Sequence, residues 1–191
     1  MKTYKTYIRT ILPLFVVLGL VGSAQAQSAT DAAETMTATA SVVAGITLTN
    51  NGNVNFGQIA ASTLNEVFLD PTGASSNEVG ANSSTGKFTV GGSPNATIIV
   101  SYSATVPMTP AGGGTNLTWA PSVTGNTTDN ASGSSAIAAD GSTSGLALNS
   151  NTSAEYHIYV GGRLYEVDGQ ALTSVDPDTY TGTMTLNVAY N

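Results

Sequence analysis

Residues 181–191, TGTMTLNVAYN, contain the clearest alternation of apolar and polar side chains in the chain. The apolar positions fall on one face and are Met184, Leu186, Val188 and Tyr190. The other face carries Thr183, Thr185, Asn187 and Ala189. Because successive side chains of a strand point to opposite faces, this period of two predicts a half-buried β-strand.

The same alternation predicts strands elsewhere in the chain. Residues 96–102 (ATIIVSY) form one, and residues 156–160 form another, with Tyr156, Ile158 and Val160 on a shared face. Gly161-Gly162 is predicted to be a two-residue hairpin turn, followed by a return strand at residues 163–167. Further strands are predicted at residues 54–59, 66–69, 87–90 and 115–119. The long polar stretches 71–86 and 125–145 are predicted to be surface loops.

Weak helix signals and regularly spaced short strands decide the fold class. They predict an all-β protein, an antiparallel immunoglobulin-like or pilin-like β-sandwich. The chain contains no cysteine. Its core and its hydrogen-bonded sheets must therefore hold the fold together without disulfides.

The first 26 residues have the three parts of a secretion signal. Lys2, Lys5 and Arg9 are followed by an apolar run at residues 11–21 and by Ala24-Gln25-Ala26. The apolar run is too short to span a bilayer, which takes about 20 residues. We expect a signal peptide at residues 1–26 and a single β-sandwich domain at residues 27–191. The domain would be exported from a bacterial cell to the periplasm, the cell surface or the medium.

Charge and composition exclude several classes of function for the exported domain. Beyond residue 26 the only basic residues are Lys87 and Arg163, against 12 Asp and Glu. Such a surface repels nucleic acid and anionic lipid, so neither is an expected partner. His157 is the only histidine, which prevents one chain from building a multi-histidine metal site. No cofactor is predicted.

No acid, base and nucleophile can be named together, so the chain is not predicted to be an enzyme. His157 is expected on a sheet face or at the surface. The carboxylates Glu166, Asp168, Asp176 and Asp178 could bind Ca²⁺ or could cap turns, and both interpretations stay open. Trp119 shares a face with Leu117, which favours a core anchor; the alternative is an exposed platform that faces a sugar ligand.

The stretch 27–48 is predicted to be an N-terminal strand. Within it, residues 34–48 (ETMTATASVVAGITL) place four small or apolar residues on one face: Met36, Ala38, Ala40 and Val42. These four residues are the candidate donor strand, because an uncharged terminal strand can fill the open edge of a neighbouring sandwich. Pairing within the same domain produces an identical pattern, so both arrangements stay open.

Four stretches carry a resemblance to a known family. They are NVNFGQI (53–59), GKFTVGG (86–92), HIYVGGRL (157–164) and DTYTGTMTLNVAYN (178–191). Together they resemble the bacterial DUF4402 family, with its N-F-G element, V-G-G-x-L hairpin and final Y-x-G-x-x-x-x-x-V-x-Y strand. The resemblance implies a secreted, fimbria-like sandwich and supplies no catalytic residue.

The chain is also broadly similar to chaperone–usher pilins. It shares with them an alternating N-terminal segment and a penultimate tyrosine, Tyr190. It departs from them in having no cysteine pair and in placing Gly182 closer to the terminus. The two resemblances and the candidate donor strand predict a cell-surface structural protein. It would be a subunit of a fimbria or coat that associates with itself or with other surface subunits. The alternative is an extracellular adhesion module that presents loops such as 125–145 to a carbohydrate or a host surface.

Overall fold

The computed structural model describes residues 37–40, 42–60, 66–166, 172 and 175–191. The chain divides into two units, Met1–Ser41 and Val42–Asn191. In the first unit, the described residues 37–40 are exposed and have no regular secondary structure. The predicted signal peptide and the part of the predicted N-terminal strand up to Met36 lie outside the described residues.

The regular secondary structure of the second unit consists almost entirely of strands. They are β1 (Thr47–Gly52), β2 (Val67–Leu69), β3 (Gly86–Gly91), β4 (Ile98–Tyr102), β5 (Val106–Pro110), β6 (Leu117–Asn126), β7 (Ser135–Ile137), β8 (Glu155–Glu166), β9 (Tyr180–Thr181) and β10 (Leu186–Tyr190). A single 3₁₀ turn, Ala131–Gly133, precedes β7. All described strand pairs are antiparallel, which confirms the predicted fold class. Among the described residues, no helix has the length and apolar character needed to cross a membrane.

The larger sheet is organised around its two longest strands, β6 and β8. They pair continuously from Leu117↔Glu166 to Asn126↔His157. On the far side of β8, β3 pairs with the first half and β2 with the second half. On the far side of β6, β5 and β7 pair with opposite ends. β1 extends the sheet beyond β3, and β9 extends it beyond β5, which gives the order β1-β3-β8-β6-β5-β9.

The second layer is a narrower sheet of β4 and β10, in register from Leu186↔Tyr102 to Tyr190↔Ile98. Side chains from both sheets form one buried apolar cluster. It includes Val90, Val123 and Ile158 from the larger sheet and Ile98 and Val100 from the smaller one. Alternate residues of each strand supply this core, as the period-two pattern requires.

The predicted hairpin at Gly161-Gly162 is wrong, because both glycines lie inside β8. They pair on one side with Pro121 and Ser122 of β6, and Leu69 of β2 pairs with Gly162 on the other. A Cβ atom on Gly161 would lie 2.1 Å from the Leu69 carbonyl oxygen, and one on Gly162 would lie 2.3 Å from that of Ala120. Glycine is therefore required for close approach of three backbones, and the predicted return strand is the continuation of β8.

Other strand predictions agree to different degrees. The strands at 66–69, 87–90 and 96–102 correspond to β2, β3 and β4. The strand predicted at 115–119 is the start of the longer β6, and the predicted loop 125–145 contains β7. The terminal run 181–191 is divided between β9 and β10. The strand predicted at 54–59 is wrong, since this segment has only the isolated bridge Asn55↔Ser84.

Within the predicted N-terminal strand, Thr47 and Leu48 are the described residues that lie in a strand of this chain. Regular pairing begins only at Thr47, and residues 37–40 and 42–46 have no strand. The backbone of Ala44 forms hydrogen bonds with side chains instead of with a neighbouring strand. Its N–H donates to Ser93 Oγ at 2.7 Å, and its carbonyl accepts from the Tyr190 hydroxyl at 2.6 Å.

We expect Gly162→Ala to destabilise the protein by about 2 kcal/mol or more, because the residue has φ +131° and no room for a Cβ. Gly45→Ala is the matched control, since no atom lies within 4 Å of a Cβ at that position. Chemical denaturation monitored by circular dichroism measures both free energies of unfolding. Equal stability of the two variants would contradict the packing role of Gly162.

Candidate functional site

The N-F-G element is a turn that directs an aromatic ring into the core. The Asn55 side chain accepts a hydrogen bond from the Gly57 N–H at 2.9 Å, and Gly57 has φ +75°. Phe56 between them is buried and meets Trp119 edge to face, with ring centroids 6.3 Å apart. The turn chemistry of Asn and Gly thus serves to place Phe56.

Trp119 joins this element to the Gly161-Gly162 stretch. Its indole N–H donates to the Gly161 carbonyl at 3.0 Å, and only 6% of the residue is exposed. The buried ring agrees with the core-anchor interpretation and offers no exposed platform for a sugar. Phe56, Trp119 and Gly161 therefore connect two of the sequence motifs inside the core.

A cleft of about 940 Å³ opens beside this aromatic pair. Residues 50–60 line one part of it, and residues 175–184 line another. Between them, four strands of the larger sheet contribute an apolar surface: Phe88, Met108, Leu117, Trp119, Val160 and Leu164. Asparagine and threonine side chains, such as Asn53, Thr181 and Thr183, line the rest. The cleft therefore has an apolar surface bordered by polar residues. Of the described bordering residues, Asp176 and Asp178 carry charge.

These two acidic residues belong to a turn. Asp178 accepts from the N–H groups of Gly112 and Thr179, each at 2.6 Å. The Tyr180 hydroxyl donates to the Asp176 carbonyl at 3.0 Å. Asp168 lies outside the described residues, and Glu166 lies in β8 opposite Leu117. Within the described part of the chain, no three His, Asp or Glu side chains are grouped to hold a metal ion.

His157 and Tyr159 lie on the opposite face of β8 from the core and are nevertheless buried. The Asp129 carboxylate binds Lys87 Nζ at 2.6 and 2.7 Å and accepts from the Tyr159 hydroxyl at 2.7 Å. His157 Nε2 is 3.7 Å from a Glu155 oxygen, and its Nδ1 has no hydrogen-bond partner. The histidine is on a sheet face, as expected.

The pKa values of Asp129 and Tyr159 are shifted in opposite directions. The hydrogen bond from Lys87, followed by that from Tyr159, lowers the pKa of the Asp129 carboxyl. Burial, followed by the hydrogen bond to Asp129, raises the pKa of the Tyr159 phenol. The shifts favour the ionised carboxylate of Asp129 and the neutral phenol of Tyr159, so these are the forms present around neutral pH.

Tyr190 connects the end of β10 to the beginning of the second unit. Its hydroxyl donates to the Ala44 carbonyl at 2.6 Å and accepts from the Ser93 N–H at 2.9 Å. Ser93 Oγ in turn accepts from the Ala44 N–H at 2.7 Å. We call these three hydrogen bonds the Tyr190 clasp. They fix the point at which the N-terminal segment enters the domain.

The candidate donor residues that the structure describes are exposed. Ala38 and Ala40 are exposed, Val42 is 95% exposed, and the adjacent Val43 is 55% exposed. Met36 lies outside the described residues. Sequence reasoning identified this segment but missed the cleft, because the cleft is lined by residues from positions 50 to 184 that only the fold brings together.

The lowered pKa of Asp129 predicts an acid-dependent loss of stability. A depressed folded-state pKa stabilises the fold above the ordinary value of 3.8, and this contribution disappears as the pH falls through the folded-state pKa. We expect the melting temperature to fall more steeply between about pH 5 and pH 2 for the natural protein than for Asp129→Asn. Parallel pH profiles of the two proteins would contradict this role of Asp129.

Comparison with known proteins gives one match. Residues 46–190 match the family model described as Domain of unknown function (DUF4402). No curated protein and no solved structure matches the chain. The matched region covers well over half of the 191 residues and contains the Phe56 turn, the Gly161-Gly162 stretch and the Tyr190 clasp residues Ser93 and Tyr190. The chain belongs to the DUF4402 family.

Proposed function

We propose that the protein is an exported structural subunit of a bacterial surface fibre or coat, and that residues 36–43 donate a strand to a second copy. The observation that carries this proposal is the exposure of Val42 and Val43, at 95% and 55%. Both are β-branched residues that favour strands. Burying each valine side chain would contribute about 1.5 kcal/mol or more.

The sequence around these valines has the properties that strand addition requires. Residues 35–48 contain no charged side chain, and Met36, Ala38 and Ala40 alternate with threonine from residue 35 to residue 40. The described residues 37–40 and 42–46 belong to no strand, so their backbone is not part of a sheet ladder. A segment of this kind can add to an exposed sheet edge through main-chain hydrogen bonds, with alternate side chains filling pockets.

The symmetry of such a contact accounts for a fibre. A terminal segment of one copy would bind a different surface on the next copy, which makes the contact heterologous. Heterologous contacts whose rotation does not close generate open filaments. The secretion signal expected at residues 1–26 supports assembly outside the cell, and the acidic surface supports solubility before assembly.

Adding charge to the apolar face of the segment tests this function. We expect Ala40→Asp combined with Val42→Asp to abolish assembly, because a strand carrying two carboxylates cannot bury that face. Thr37→Asp combined with Thr39→Asp adds the same charge to the other face and is the matched control, expected to retain most assembly. Negative-stain electron microscopy and pelleting of the purified proteins measure the result.

Both variants should keep the circular dichroism spectrum and melting temperature of the natural protein, since the substituted residues are exposed. If the natural protein stays monomeric at high concentration and forms no fibres on cells, the proposed function is wrong. It is also wrong if the Ala40/Val42 variant assembles as well as the control.

A further inference from the structure

We propose that the cleft between residues 50–60 and 175–184 is the acceptor site, and that its occupant is the segment 36–43 of a second copy. This inference rests on the proposed function and names the receiving surface on the same chain. Two observations support it. The two sheets of the sandwich differ in width, and the inner surface that the narrower sheet does not cover has side chains that suit this segment.

The two sheets differ in width. The larger sheet has six strands in its main order, whereas the smaller sheet has two. Neighbouring strands are spaced about 4.8 Å apart, so two strands, together with Leu146 and Leu148 beside β4, cover part of the inner face of six. The cleft lies where this cover is incomplete, and it is lined by side chains of β3, β8, β6 and β5.

The free edge of β10 can accept a further strand. Among the described residues, β10 pairs with β4 alone, so its other edge is outside any ladder. Beside the cleft, residues 53–60 and 182–185 are outside any strand, although Asn55 is bridged to Ser84 and the Phe56 carbonyl accepts from the Gly80 N–H at 2.8 Å. An added strand beside β10 would widen the smaller layer.

Size and charge favour a small, uncharged strand as the occupant. The cleft volume of about 940 Å³ has room for a row of small side chains, and the lining between its walls is apolar. Among the described residues that line it, the charged ones are Asp176 and Asp178, both acidic. A basic strand would have complemented these two residues, but the apolar surface favours Met36, Ala38, Ala40 and Val42. Residues 35–48, which contain no acid, also avoid repulsion from Asp176 and Asp178.

Disulfide trapping in the otherwise cysteine-free chain tests the acceptor site directly. One tagged copy carries Val42→Cys or Ala40→Cys. A second, differently tagged copy carries Thr183→Cys, Asn53→Cys or Gln58→Cys, at exposed positions that line the cleft. The control acceptor is Ser144→Cys, which is exposed and lies outside the cleft lining. Every substitution is at an exposed position, and each variant is first checked for fibre formation.

We expect oxidation of mixed fibres to link the two tags at least tenfold more with one or more cleft cysteines than with Ser144→Cys. If fibres form but none of the six donor–cleft pairs exceeds the control, the cleft is not the acceptor, while the proposed function stands. If neither the natural protein nor any variant forms fibres, the proposed function fails, and this inference fails with it. A link formed within one copy, between Val42→Cys and Thr183→Cys on the same chain, would also overturn it.

Discussion

The fold depends on the close pairing of β6 with β8. The other strands of the larger sheet are attached to one of these two, directly or through one neighbour, so their register sets the positions of the rest. The pairing passes through an unusual point at which Pro121 lies opposite Gly162. Proline cannot donate to a ladder, and glycine at φ +131° lets the backbone adjust there. Trp119 then secures the same point, because its indole N–H binds the Gly161 carbonyl.

The same point lies beside the cleft. Trp119 is held by Gly161 on one side and contacts Phe56 on another, and both aromatic residues also line the cleft. β4 and β10 cover the core near Ile98 and Leu186. The remaining inner surface is bordered by turns, including the Asn55-Phe56-Gly57 turn and the Asp178 turn.

Local patterns in the sequence predicted the fold class and the positions of several strands, because alternation is a local property that burial on one face imposes. Thus β2, β3 and β4 were found near their observed limits. Gly161-Gly162 was misinterpreted because the reason for glycine is close contact with Leu69 and Ala120, which are distant in the sequence. The N-terminal segment was recognised as unusual, but the hydrogen bonds of Ala44 with Ser93 and Tyr190 join residues that are distant in the sequence. The cleft could not be predicted, since residues from positions 50 to 184 line it and only the fold brings them together.

The Tyr190 clasp has a mechanical consequence. A pulling force applied to the N-terminal segment reaches the domain at Ala44, where hydrogen bonds to Ser93 and Tyr190 bear the first load. Beyond them, tension passes into β1, whose antiparallel ladder with β3 runs from Thr47↔Gly91 to Gly52↔Lys87. Since Tyr190 is in the last strand, the clasp also transmits part of that tension to β10 and shares it between both layers. The penultimate tyrosine thereby couples the two ends of the domain under stress.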